Sequence, residues 1–140
     1  MKEYVTASTI AASQERVWAV LTDGEAYRLW NPEIIGVRGQ LALGGRIIAQ
    51  VRLGDGAVRS VAQRVIEFQP PHRMTWRGGL PLGLFVGLRT FTVTTGANGV
   101  EFRMHLRMSG PLSSMILKSV GDRQPEIDRF TAALKQRCEA

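Results

Sequence analysis

The sequence predicts an α+β fold in which a curved antiparallel sheet of seven strands is covered on one face by a long C-terminal helix, with two short helices between the first and second strands. Three observations predict it. From Ile34 to Met108, short segments rich in β-branched residues are separated by Gly-, Pro- and Asn-containing turns, the pattern of a meander. Val100, Phe102, Met104, Leu106 and Met108 alternate with Glu101, Arg103, His105 and Arg107, so the last strand has one apolar face, which must be covered, and one polar face. Beyond Gly110-Pro111, Met115, Ile116, Val120, Ile127, Phe130, Leu134 and Cys138 recur at roughly helical spacing and supply the cover.

The elements follow in order. EYVTASTI, residues 3–10, reads as the first strand, and Ser13 caps a helix over Gln14–Leu21 whose inner face is Val17, Val20 and Leu21. A second helical turn through Tyr27 stops at Trp30-Asn31-Pro32, because proline disfavours helix in the residue before it. Strands are expected at Ile34–Leu43, Arg46–Leu53, Val58–Phe68, Arg73–Arg77, Leu88–Thr95 and Val100–Met108. Gly121 and Pro125 should kink or divide the C-terminal helix. The stretch WRGGLPLGLF, Trp76–Phe85, mixes glycines and proline with large apolar side chains and reads as a loop joining the fifth and sixth strands.

At 140 residues the chain matches one domain, 1–140, of a size that buries roughly two thirds of its unfolded surface without disulfides or metals. Its 44% hydrophobic and 21% charged residues are ordinary for a globular protein. Cys138 is the sole cysteine, which leaves no internal disulfide and no cysteine metal cluster and fits a reducing compartment. The N-terminal MKEYVTASTI shows no secretory pattern, so the expected location is the cytoplasm. No apolar run approaches the roughly 20 residues of a spanning helix, and stable membrane insertion is not expected. The glycines around Gly78, Gly79, Gly83 and Gly87 match neither phosphate-binding spacing, which removes support for nucleotide binding. The net charge of +6 invites nucleic-acid binding, but Arg38, Arg46, Arg52, Arg59, Arg64, Arg73, Arg77, Arg103 and Arg107 fall singly along extended segments and read as a solvated strand face.

The order of these elements, with the phrases SQERVWAVLTD (13–23), WNPEI (30–34), FQPPHRMTW (68–76) and RMSG (107–110) before a long helix, resembles the START-like SRPBCC superfamily and its polyketide cyclase/dehydrase branch. The resemblance covers essentially the whole chain. It implies the helix-grip fold, with an apolar cavity between sheet and C-terminal helix and with WRGGLPLGLF near the cavity mouth, where it would act as a lid. Members include lipid carriers, receptors, cyclases and co-chaperones, so the fold does not fix the function. Members near this branch often carry Gln or Glu at cavity-facing positions of the last strand; here those positions are Met104 and Leu106, which weakens an enzyme reading.

The residues themselves nominate no catalytic group. His72 lies in a proline-rich turn and His105 on a polar face, neither with metal-ligand spacing to a partner. Asp23, Glu33, Glu67 and Glu101 fall at turns or on polar faces, and Cys138, at the frayed end of the chain, has no evident base. No metal and no cofactor is expected. The ligand-lining candidates are Trp30 and Trp76, which can stack on a flat ligand, Leu82 and Phe85 in the lid, Phe91 and Phe102, Leu106, and the adaptable wall of Met104, Met108 and Met115. Arg89 shares a face with Phe91 and Val93 and would clamp an acidic head group if it points inward; its place at the strand end favours snorkelling to water. The expected function is binding of a small or medium hydrophobic molecule. A cyclase- or dehydrase-type enzyme is the alternative, and a co-chaperone-like interaction module the second alternative.

Overall fold

A computed structural model describes residues 1–140. Strand β1 (Lys2–Ile10) is followed by helices α1 (Gln14–Thr22) and α2 (Tyr27–Trp30). The meander β2 (Ile34–Gly39), β3 (Arg46–Arg52), β4 (Val58–Gln69), β5 (Arg73–Leu80), β6 (Phe85–Gly96) and β7 (Gly99–Ser109) comes next, and helices α3 (Ser113–Val120) and α4 (Gln124–Glu139) end the chain. All neighbouring strands run antiparallel in the order β1-β7-β6-β5-β4-β3-β2. The sheet curls around α4, which is the helix-grip arrangement.

The alternation in β7 sets the layers. Phe102, Met104 and Leu106 are buried and Met108 is half-buried, whereas Arg103 and Arg107 face solvent. A slip of one residue would exchange those faces, so burial of the apolar set pins the register. Against this wall α4 lays Ile127, Phe130, Thr131, Leu134 and Cys138, all buried and spaced for one helical face. Phe130 is the hub: its ring lies 6.3 Å from Phe102, 6.0 Å from Phe91, 6.2 Å from Tyr27 and 5.8 Å from Trp30. The C-terminal helix divides at Gly121, whose φ of 78° ends α3, and Pro125 opens α4. Of its eight residues α3 buries only Ser113, so α4 alone fills the grip.

Three expectations need correction. The second strand ends at Gly39, short of Leu43, because the chain turns back through Gly44 and Gly45 onto β4. The expected loop of WRGGLPLGLF is largely ladder: Gly78 pairs with Gly87, Gly79 with Val86 and Leu80 with Phe85, leaving only Pro81–Leu84 as the tip. Gly79 is required there by close approach rather than by mobility, since a Cβ at its φ of 139° would sit 2.0 Å from the Phe85 carbonyl oxygen. Cys138 belongs to the last turn of α4 and is buried, not frayed.

Candidate functional site

The chain leaves α2 at Trp30 and enters β2 through Asn31-Pro32-Glu33. The Asn31 side-chain oxygen accepts hydrogen bonds from the backbone N–H of Glu33 and of Ile34, both at 2.9 Å. This Asx-type turn fixes the backbone just where the chain passes into the interior. It delivers the Glu33 side chain inward, with 1% of the residue exposed.

Two arginines meet it. Arg89, inward-facing on β6 beside its cross-strand partner Trp76, donates Nη1 to Glu33 Oε1 at 2.8 Å and Nη2 to Oε2 at 2.7 Å. Arg123, which precedes α4, donates Nη2 to Oε2 at 2.8 Å. Both arginines are buried, so one carboxylate and two guanidiniums form an interior cluster of net charge +1. Arg89 Nη1 also lies 3.4 Å from the Met104 sulfur. Burial pushes the Glu33 carboxyl up, but the charges and hydrogen bonds of Arg89 and then Arg123 outweigh it and hold the group below the ordinary carboxylate range. Tyr27 nearby is pushed far up by burial and stays a neutral phenol donating to the Leu21 carbonyl.

Around this cluster several buried polar atoms have no hydrogen-bond partner within the protein: the indole Nε1 atoms of Trp30 and Trp76, Nη1 of Arg123 and Nδ2 of Asn31 are donors, and Glu126 Oε2 is an acceptor. Unpaired buried donors cost about 1–3 kcal/mol each and mark places where a partner is wanted. On the outer side of Asn31 lies a cleft of about 580 Å³ lined by Arg28, Asn31, Pro32, Ile35, Arg52, Leu53, Glu126 and Arg129. Thus Asn31 and Glu126 stand between the solvent-facing cleft and the interior charges.

The candidates named from sequence divide into two groups. Trp76, Phe91, Phe102 and Met104 are at most 1% exposed and, with Leu106, Arg89 and half-buried Trp30 and Met108, converge on the inner face. Their rings pack on one another, Trp76 4.8 Å from Phe91. Leu82 is 98% exposed and Met115 59% exposed, so neither touches that interior, and half-buried Phe85 lines a different concavity beside Leu82. The tip of WRGGLPLGLF therefore has no dry underside in this conformation. Arg89 does not snorkel: the carboxylate of Glu33 gives it an interior partner that water would otherwise replace. Glu33 is not the turn residue on a polar face that sequence suggested, and Arg123 was not singled out. One signal pointed to them: an arginine alternating with inward Phe91 and Val93 demands a buried acid.

His72 is exposed, His105 half-buried and Cys138 buried. No cluster of His, Cys, Asp and Glu side chains is arranged to hold a metal ion. His72 lies within hydrogen-bonding distance of the Gln14 amide, and His105 sits 3.5 Å from Glu3 at the surface. No helix is long and apolar enough to cross a membrane.

The fold is shared widely. A START superfamily protein from Mycobacterium smegmatis superposes with a TM-score of 0.74 at 19% identity, over 98% of this chain and 97% of that one. A protein from Mesorhizobium loti gives a TM-score of 0.73 at 20% identity, over 96% and 95% of the two chains. The di-domain ARO/CYC protein BexL of the BE-7585A biosynthetic pathway gives 0.71 at 13% identity, over 99% of this chain and 50% of that one. No curated protein sequence matches. The family model described as polyketide cyclase / dehydrase and lipid transport matches residues 1–139, and with the strand order and the gripped α4 on the page, the chain belongs to that START-like family.

Proposed function

We propose that the protein binds a small or medium hydrophobic molecule that carries an oxygen acceptor, a carboxylate or carbonyl, between the sheet and α4, with that oxygen directed at Arg89 and Arg123. The observation that carries the reading is the imbalance of the buried polar groups. The cluster of Glu33, Arg89 and Arg123 has a surplus positive charge, and the nearby buried N–H groups of Trp30, Asn31, Trp76 and Arg123 that lack a partner outnumber the one open carboxylate oxygen beside them, Glu126 Oε2. An acidic or carbonyl-bearing ligand supplies what they lack, while the rings of Trp76, Phe91, Phe102 and Phe130 supply apolar contact. Because those rings fill the interior in this conformation, binding requires an opening. The movable element is α3, which buries little and is flanked by Gly110 (φ 104°) and Gly121 (φ 78°).

The enzyme reading is supported less well. A general base or acid for neutral pH needs a carboxyl raised toward 7, whereas Glu33 is held below its ordinary range and is therefore a weak base. Native mass spectrometry of freshly purified protein tests the binding reading. A co-purified organic molecule of low mass that Arg123→Gln releases supports it, and apo protein under gentle conditions, with no uptake of an added fatty acid, contradicts it.

A further inference from the structure

The outer face of the sheet carries an arrangement that the interior site does not use. In the register of the central strands, Arg46 on β3 stands opposite Arg64 on β4, and Arg64 stands opposite Arg77 on β5. Cross-strand neighbours have Cβ atoms about 4.5–5.5 Å apart, and like charges at that spacing repel. Nothing in the chain relieves this row: Arg38, Arg46, Arg64 and Arg77 are all exposed and none forms an ion pair. Together they line a concavity of about 650 Å³ in which no acidic side chain takes part. A fold that sets three arginines in file without a counterion is arranged for anions from outside.

The same concavity is bounded by the β5–β6 hairpin tip, and the tip is aliphatic. Leu80, Leu82 and Leu84 are 44%, 98% and 40% exposed, and Ile48 beside the arginines is 47% exposed. Leu82 adopts a φ of 61°, a left-handed backbone that a leucine takes only at a cost, and the turn uses it to aim an almost completely exposed side chain at solvent. A strained, protruding leucine beside unpaired arginines is the chemistry of an interfacial anchor: the aliphatic groups enter the headgroup and acyl boundary and the guanidiniums bind phosphates. A nucleic acid would use the arginines and leave the leucines in water.

We propose that this face, Arg38, Arg46, Arg64 and Arg77 with the Leu80–Leu84 tip, docks on the surface of an anionic lipid bilayer. The contact is peripheral, since the tip is four residues beyond the paired Leu80 and does not span. It is independent of whether the interior binds a ligand.

The test is co-sedimentation of the full chain with vesicles of phosphatidylglycerol mixed into phosphatidylcholine and with vesicles of phosphatidylcholine alone, at low and high salt. The expected result is binding to the anionic vesicles only, weakened by salt because screening shortens the reach of the arginines to about 3 Å at 1 M. Arg64→Gln should weaken it about fivefold, the equivalent of roughly 1 kcal/mol per basic residue at an anionic surface, while leaving thermal stability unchanged or higher through relief of the row. Leu82→Asp should abolish it with an unchanged circular dichroism spectrum, because Leu82 packs against nothing. Failure of wild-type protein to bind anionic vesicles overturns the proposal. So does vesicle binding that Leu82→Asp leaves intact and that duplex DNA competes away, which would make the face a polyanion surface instead.

Discussion

Glu33 and Arg89, 56 residues apart in the chain, meet inside the protein through two parallel N–H···O contacts of 2.8 and 2.7 Å. The bidentate geometry is the strongest an arginine and a carboxylate make, and it lies where neither charge reaches water. Because Arg123 shares the same carboxylate, the three side chains tie β2, β6 and the start of α4 together. Removing one member leaves the others charged and buried, so Glu33→Gln should cost about 3–5 kcal/mol in urea unfolding. Replacing all three by apolar residues of similar volume should cost far less, or stabilise the fold by about 1–4 kcal/mol, while abolishing ligand binding. A small effect of Glu33→Gln would mean the cluster is looser than its distances indicate.

Acid should act through the same carboxylate. Its folded-state pKa lies below the unfolded value, so the ion pair contributes stability that is fully present above the unfolded carboxylate range near 4.3 and is lost as pH falls through the folded pKa. Stability from this group should be flat from pH 6 to 8 and decline below about 4.5. The Glu33→Gln variant should show a shallower acid decline than wild type, measured as unfolding midpoints against pH.

Alternation in the last strand predicts that a charge at an inward position of β7 is severely destabilising, and the structure distinguishes two such positions. Phe102 is 1% exposed and stacks on Phe130, so Phe102→Asp should cost about 3–5 kcal/mol or prevent folding. Met104 lies against Arg89, so an aspartate there gains a partner and Met104→Asp should be the milder change. Equal losses in thermal unfolding would show that Arg89 is too tightly held by Glu33 to respond.

Cys138 gives an independent reading of how firmly α4 is gripped. Burial pushes its thiol up to about 11, so little thiolate forms near neutral pH and alkylation by iodoacetamide at pH 8 should be slow. Labelling should accelerate when urea releases the helix. Rapid labelling of native protein would place the last turn of α4 away from the sheet.

The parts of this fold that repeat were legible in the sequence. The period-two pattern of Val100–Met108, the turn at Gly54–Gly56 and the break at Gly121 and Pro125 each rest on local geometry, and each appears where it was expected. The hairpin of Trp76–Phe85 was misread because glycine signals a turn and a close backbone approach alike; at Gly79 the second applies. The charge cluster was harder to read. Alternation puts Arg89 on the face of Phe91 and Val93, but its place at the strand end favours snorkelling, because the acid that holds it inside is not visible in the pattern: Glu33 lies in an aperiodic turn after proline and Arg123 in the gap between two helices, where no spacing says which way a side chain points. The arginine row was invisible for a related reason, since it exists only once β3, β4 and β5 are in register.

The most direct test of the interior site is a titration followed by tryptophan emission, because two of the three tryptophans, Trp30 and Trp76, carry the unpaired indole N–H groups. Oleic acid and its methyl ester serve as probes, differing only in the carboxylate, with wild type and Arg123→Gln compared. The account predicts a saturable shift in emission with the acid, a weaker response to the ester, which keeps a carbonyl but loses the charge, and loss of that preference in the variant. No emission change with either probe, or a response in Arg123→Gln as strong and as acid-selective as in wild type, would contradict it.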